Sequence, residues 1–307
     1  MNPIRPLLLA MAGSPTWKRL LTGWSVTHRV VARFVPGETL DEALGAARQL
    51  NDAGMMATLN PLGEDVSDPE QAMAATDAYI EILDRVAAEQ LDCSISVKLT
   101  LLGLDLDADL AAANLERLLS TAAQHGNFVR IDMEASEHVE ATLSMSRSLE
   151  RRFDNFGLVV QSYLRRTTDD IDRLVQAGTP LRVVKGAYKE PEHVAFADKR
   201  DVDHNYARIL DRLAQDDARR NDVRVAVASH DAALIAHARN LIDELQLDGW
   251  EFQMLYGIGR PLQRQLVEDG YSVRIYVSYG PSWYPWFMRR LAERPANIGF
   301  FLRHLFD

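Results

Sequence analysis

The chain has 307 residues, of which 47% are hydrophobic and 25% charged; that is enough to bury a full core in one large domain or two ordinary ones, with none of the apolar depletion of a disordered chain. Its 34 Lys and Arg stand against 44 Asp and Glu, a net charge of −10, so the average field repels nucleic acid and anionic lipid. A single cysteine, Cys93, excludes an internal disulfide and any multi-thiolate zinc or iron–sulfur site, and fits a reducing cytoplasm.

Residues 6–12 form an apolar run behind Arg5 at the lower limit of a secretory signal core, and it leads straight into the amphipathic stretch 17–35. No later segment reaches the ~18–20 uninterrupted apolar residues of a membrane span. Thr39, with Glu42 three residues on, reads as a capping box opening a helix. Leu40, Leu44, Ala47 and Leu50 share its buried face, and Gly54 marks its end. Apolar or β-branched runs follow at 55–60, 93–100, 127–134, 157–163, 180–188, 223–230, 250–257 and 272–280. Helical patterns lie between them at 77–89, 110–124, 136–153, 168–176, 204–217, 231–245 and 262–268.

Eight strand candidates alternating with helices every ~30 residues, the length of a βαβ unit, predict a closed parallel (βα)8 barrel. An open dinucleotide-binding sheet would carry a glycine-rich turn after its first strand. Here LYGIGRPL supplies only Gly257 and Gly259, has Leu262 where the third glycine would stand, and follows the seventh run. No Gly/Ser-rich linker divides the chain, so a single domain is expected: residues 1–45 as a helical segment packed on the barrel, and 46–307 as the barrel itself.

The mouth of such a barrel is built at the carboxyl ends of its strands. Those ends carry Lys98, Asp132 with Glu134, Gln161, Lys185, His230, Gln253 with Tyr256, and Tyr276. One such residue is most simply a solvated strand tip; one on every strand from the second to the eighth predicts a shared polar site. Towards the C-terminus, in WYPWFMRRLAERPAN, Arg289 and Arg290 either pair with Glu293 within a helix or clamp a carboxylate. Adjacent helical residues point about 100° apart, so both arginines serve one anion only if the helix lies across it. Trp283, Tyr284, Trp286 and Phe287 read as a lid or as packing against the barrel. The eight histidines form no HxH or HxxxH pair, so no metal site is expected, and GxSxG is absent. Lys98 and Lys185 leave Schiff-base chemistry open.

The motifs FVPGET, LGE (62–64), SVKLT, RIDME, VVQSY, LRVVKGAY, ASHD, EFQMLYG, VRIY and RRLAERPAN occur in this order across nearly the whole chain. With them the sequence resembles the proline dehydrogenase family, the flavin-dependent enzymes that begin proline catabolism. The resemblance implies a distorted (βα)8 TIM barrel with N-terminal helices and a final helix over the barrel mouth, holding FAD without a glycine fingerprint. It implies catalytic roles for Asp132, beside the substrate, and for Arg182, near flavin N5. Lys98, Arg289 and Arg290 would bind the proline carboxylate, and Tyr276 and Val183 would pack on the ring. Met133, Gln161, Arg182, Lys185, Gly186, Ala187, Tyr188, Ser229 and His230 would line the FAD, and Glu64 would pair with Arg289 as a gate. Asn60 and Trp286 depart from the Asp and Tyr that some relatives carry near that gate and lid.

The implied reaction moves a hydride from C5 of L-proline to flavin N5, giving Δ1-pyrroline-5-carboxylate, and a membrane quinone reoxidises the flavin. A cytoplasmic chain with a peripheral contact on the inner face of the membrane is therefore expected, with no nucleic-acid partner. A chain of this length has no room for the next enzyme, so a separate pyrroline-5-carboxylate dehydrogenase would take the product. Three alternatives stand beside this reading. A 4-hydroxyproline dehydrogenase is opposed by Tyr276, where relatives acting on that substrate tend to carry a smaller residue; the others are a flavin-free lyase using Lys185 and a non-catalytic carboxylate-binding barrel.

Overall fold

Eight short runs become eight parallel strands in sequential order, β1 (Met56–Pro61), β2 (Cys93–Val97), β3 (Val129–Ile131), β4 (Phe156–Gln161), β5 (Leu181–Val184), β6 (Val225–Ala228), β7 (Trp250–Leu255) and β8 (Val273–Tyr279), forming a closed barrel. The structure is a computed structural model and describes residues 33–63, 66–281 and 283. The expected N-terminal helices and the final helix lie outside the described residues, as do Glu64, Tyr284, Trp286, Phe287, Arg289 and Arg290. The described helices are α1 (Leu40–Asp52), α2 (Pro69–Ala88), α3 (Ala108–Gln124), α4 (Ser136–Leu149), α5 (Thr167–Gln176), α6 (Lys199–Leu213), α7 (Asp216–Arg220), α8 (Ala232–Leu245) and α9 (Arg260–Glu268). None of them is long and apolar enough to cross a membrane.

Local chemistry accounts for most helix boundaries. At α1 the capping box forms as expected, with Glu42 N donating to Thr39 Oγ1 and Thr39 N to the Glu42 carboxylate; the expected domain boundary after residue 45 falls inside this continuous helix. Gly54, at φ +76°, ends it. α2 starts at Pro69 rather than at residue 77, because Asp68 caps it through Gln71 N and Pro69 occupies the first turn, where its missing N–H costs nothing. The pattern over 204–217 splits into α6 and α7, and α6 begins earlier, behind the Asp198 cap.

Contacts divide the chain into two compact units. One comprises the described parts of Met1–Glu64, Leu91–Cys93 and Met254–Asp307. In it β1 pairs with β8 from Met56↔Arg274 to Pro61↔Tyr279, which sets Thr58 beside Tyr276. Burial pushes the Cys93 thiol up to about 12, so this cysteine is an inert packing group.

The other unit comprises Asp65–Gln90 and Ser94–Gln253. Its pairings Val97↔Ile131, Ile131↔Leu158, Leu158↔Leu181, Leu181↔Val225 and Val225↔Trp250 place one apolar ring in register. The helices cover that face with fully buried side chains, among them Tyr79, Ile82, Leu115, Leu118 and Tyr206; each large apolar side chain so buried contributes about 1.5–3 kcal/mol. The two-residue alternation of a strand turns the intervening positions to the opposite face, which is polar: Ser96, Arg130, Gln161, Arg182, Glu251 and Gln253. Gly157 makes room there for Arg130, whose Nη1 would lie 2.5 Å from a Cβ at that position and which donates to the carbonyls of Leu158 and Pro180.

Candidate active site

The polar face of the second unit converges on a buried ion pair. Arg182 on β5, 4% exposed, donates from Nη1 to Asp132 Oδ1 at 2.8 Å. The same nitrogen reaches Ser96 Oγ on β2 at 3.1 Å, and the Ser96 hydroxyl donates to Asp132 Oδ1 at 2.7 Å. From β7, Gln253 Oε1 accepts from Arg182 Nε at 2.5 Å, and its amide nitrogen donates to the Glu251 carboxylate. Charge-assisted bonds of this kind are about twice as strong as neutral ones, and removing one partner of a buried pair costs about 3–5 kcal/mol. The register holds a small residue, Ala226, between Arg182 and Glu251, which leaves space for the two long side chains.

Around this pair the strand ends are anchored one by one. Lys98 follows β2, and two residues on, Thr100 donates from both N and Oγ1 to the buried Glu134 carboxylate at 3.1 and 2.6 Å. Gln161 donates its amide to the Glu134 carbonyl at 2.9 Å. Lys185, just past β5, sits between Asp203 of α6 and Asp231, the N-cap of α8, at 2.5 and 2.8 Å, and Lys199 joins the same two carboxylates. The loop beyond it is pinned as well: Glu190 accepts from Ser136 N and Oγ at 2.7 and 2.6 Å, supplying the N-terminal acceptor that α4 lacks behind Ala135. Ser229 accepts from Asp231 N at 3.1 Å.

Burial raises the Asp231 carboxyl, but the Lys185 and Lys199 ammonium groups outweigh it and hold the group at about 2, below the usual 3.8. A depressed carboxylate contributes stability that is present above the unfolded value and lost as pH falls towards the folded one. Asp231→Asn, which still caps α8, is therefore expected to be less stable than the parent at neutral pH. That gap should close as pH falls from about 4 to about 2. Urea unfolding of both proteins at several pH values measures it, and a gap independent of pH would refute the assignment.

The structure brings Asp132, Gln161, Ser229, His230 and the 185–188 segment to the carboxyl ends of β3 to β6 in this unit, and Arg182 reaches Asp132 from within β5. It does not bring Val183 there: as the neighbour of Arg182 in β5 it faces the other way, is fully buried, and accepts from Tyr206 of α6 through its carbonyl. Met133, buried, lines a small internal void together with Gln161, Val139, Leu143, Val160 and Leu164. Tyr276 lies half-buried on β8 in the first unit. Ser96, Thr100, Glu190, Asp203, Asp231 and Glu251 were not singled out from sequence; only the recurrence of serine at 94 and 96, alternating with the apolar residues of β2, hinted at an inward hydroxyl. Among the described residues no group of His, Cys, Asp and Glu could hold a metal ion.

The donors here fit a flavin dinucleotide. Gly186, at φ +107°, lies so close to Tyr163 that a Cβ would stand 2.1 Å from the ring. That turn follows β5, and Gln161 and Ser229 stand at the end of β4 and just past β6, supplying neutral hydrogen-bonding groups of the kind a dinucleotide requires.

Eight parallel strands with a hydrogen-bonded Arg–Asp pair and anchored polar groups at their carboxyl ends define a (βα)8-barrel enzyme. A family model described as proline dehydrogenase matches residues 43–303. The chain belongs to the proline dehydrogenase family, and its activity is that of a proline dehydrogenase. It is 40% identical over 302 residues, 98% of each chain, to proline dehydrogenase 1 of Bacillus subtilis (strain 168). It is 35% identical over 305 residues, 96% of each chain, to a proline dehydrogenase of Deinococcus radiodurans. Proline utilization A (PutA) from Bdellovibrio bacteriovorus, solved after inactivation by N-propargylglycine, shares the fold with a TM-score of 0.80 at 24% identity. That match covers 93% of this chain, which spans 36% of the PutA chain.

Proposed function

We propose that this protein binds FAD and oxidises L-proline to Δ1-pyrroline-5-carboxylate, and that the electrons pass to a membrane quinone. The observation that carries this reading is the Arg182–Asp132 pair held between four strands at the end where the strand tips are polar. When bound, the flavin supplies the acceptor for the hydride that leaves proline C5. Met133, Gln161, Ser229, His230 and the segment Lys185, Gly186, Ala187 and Tyr188 would hold it.

The chain's own residues bind and orient the substrate. Lys98, with Arg289 and Arg290, neutralises the proline carboxylate and fixes the ring; Tyr276 packs against the ring and favours proline over its 4-hydroxy derivative. Asp132 keeps Arg182 in place and faces the substrate amine. Nearby cations and exclusion of water favour the neutral amine, whose lone pair assists hydride departure. Glu64 gates the entrance by pairing with Arg289. Lys185, engaged by two carboxylates at 2.5 and 2.8 Å, is the anchor of its loop, which argues against the Schiff-base lyase. Transfer to a quinone implies a peripheral contact with the inner membrane face, and the product leaves for a separate dehydrogenase.

Protein supplemented with FAD should show flavin absorbance that proline bleaches without oxygen, faster than 4-hydroxyproline does; colourless protein refutes the proposal. Lys98→Met should raise the proline KM roughly thirtyfold, the effect of about 2 kcal/mol lost from a desolvated charge pair, with a smaller change in kcat. An unchanged KM in steady-state assays would remove Lys98 from the carboxylate site.

A further inference from the structure

Gln253 lies on β7, 5% exposed, between two groups of opposite charge. Its Oε1 accepts from Arg182 Nε at 2.5 Å and its Nε2 donates to the Glu251 carboxylate. An arginine offers only donors and a carboxylate only acceptors, so the amide has one allowed sense; turned over, it would set N–H against guanidinium and carbonyl against carboxylate. The guanidinium is thereby held at two corners: Nε by Gln253, and Nη1 by Asp132 at 2.8 Å and Ser96 at 3.1 Å. Two anchors on different nitrogens determine the plane of the group, which one could not. An amide also keeps a second carboxylate from pairing directly with Arg182, so the guanidinium charge is shared with Asp132 and not cancelled from both sides.

We propose that Gln253 is a positioning residue for the reaction: it locks the plane of Arg182, Glu251 locks Gln253, and Ser96 completes the tether from β2. The proposal rests on the proposed function, in which Arg182 faces the reacting centre. Its tests use the FAD-loaded protein. Gln253→Met keeps the side-chain length and removes both hydrogen bonds. It should retain FAD and keep the proline KM within about threefold while kcat falls about tenfold or more, in the range that misplacement of a positioned group costs. The two-electron flavin potential should fall as well, because a loosened cation stabilises the reduced, more anionic form less; a tenfold loss of that preference is a shift of about 30 mV.

Unchanged kcat together with an unchanged potential overturns the proposal, as does a rise in KM with kcat intact. If Gln253→Met does not accumulate as holoprotein, Glu251→Gln serves in its place. It preserves volume and an acceptor for the Gln253 amide, and should show the same split at about threefold amplitude, as expected when one charge-assisted bond becomes neutral; no change there overturns the proposal too. Parent protein that fails to bind FAD or oxidise proline refutes the underlying function, whereas an active parent with unaffected variants refutes only the role of Gln253.

Discussion

Arg182→Met is expected to lower kcat for proline by about a thousandfold, equivalent to about 4 kcal/mol, and to destabilise the fold as well. Without the guanidinium, Asp132 keeps its bond from Ser96 but loses its ion pair, and Gln253 keeps Glu251 but loses a donor. Leaving one charge of a buried pair uncompensated costs about 3–5 kcal/mol, which urea unfolding would register directly. The double variant Arg182→Met with Asp132→Asn separates the two effects. Stability should recover once the orphaned charge is gone, and activity should not. A single variant with kcat within threefold of the parent would exclude Arg182 from the chemistry.

Gly186→Val is expected to lose FAD and lower the melting temperature by about 5 °C or more. At φ +107° the backbone is in a region that side chains rarely adopt, and a Cβ would approach Tyr163 Cδ1 to 2.1 Å. Strain of this kind costs about 1–3 kcal/mol, and each kcal/mol moves the midpoint by about 2–4 °C in a protein of roughly this size. Tyr163 cannot swing aside easily: it is 3% exposed, and its N–H donates to the Lys185 carbonyl at 2.9 Å. Gly126→Ala is the control. That residue also has a positive φ, +61°, but nothing lies within 4 Å of its added Cβ, so it reports backbone strain without the collision and should keep its flavin. Full FAD occupancy and an unmoved melting temperature in Gly186→Val would refute the role of this turn.

The eight-strand pattern was legible because each strand buries an apolar face under a helix, and such runs stand out at a spacing of about 30 residues. Their ends were not. The run 180–188 reads as one strand but β5 stops at Val184, since Gly186 takes a conformation no strand accommodates. The run 127–134 holds only Val129–Ile131 as strand: Asp132 N still donates to the Val97 carbonyl, and the chain then turns into the helix that starts at Ser136. The start of α2 was encoded in Asp68 and Pro69, ahead of the periodic stretch from which the helix was read.

Asp132, Arg182 and Lys185 were found from sequence as polar residues in apolar surroundings or in a family motif. Glu190 and Asp203 carry no such mark, and Asp231, although it closes the motif ASHD, reads as an ordinary helix N-cap. Acidic residues in loops and at helix starts are ordinary surface groups until folding sets Lys185 or an uncapped helix beside them. Val183 shows the opposite failure: motif membership placed it at the substrate, while strand alternation faces it away from Arg182.

By itself, then, the amino-acid sequence determined the barrel class, the capping of α1, the exclusion of any multi-thiolate metal site and the family, because these follow from periodicity, composition and contiguous motifs. Tertiary structure decided which charges meet. Ser96, Arg182, Glu251 and Gln253 come from three strands and Asp132 from just past a fourth, all far apart in the chain, and only the register of parallel strands sets them within hydrogen-bonding distance. A net charge of −10 gives no indication of an arginine buried at the centre of such a network, since hydrogen bonds act over about 3 Å and total charge carries no position.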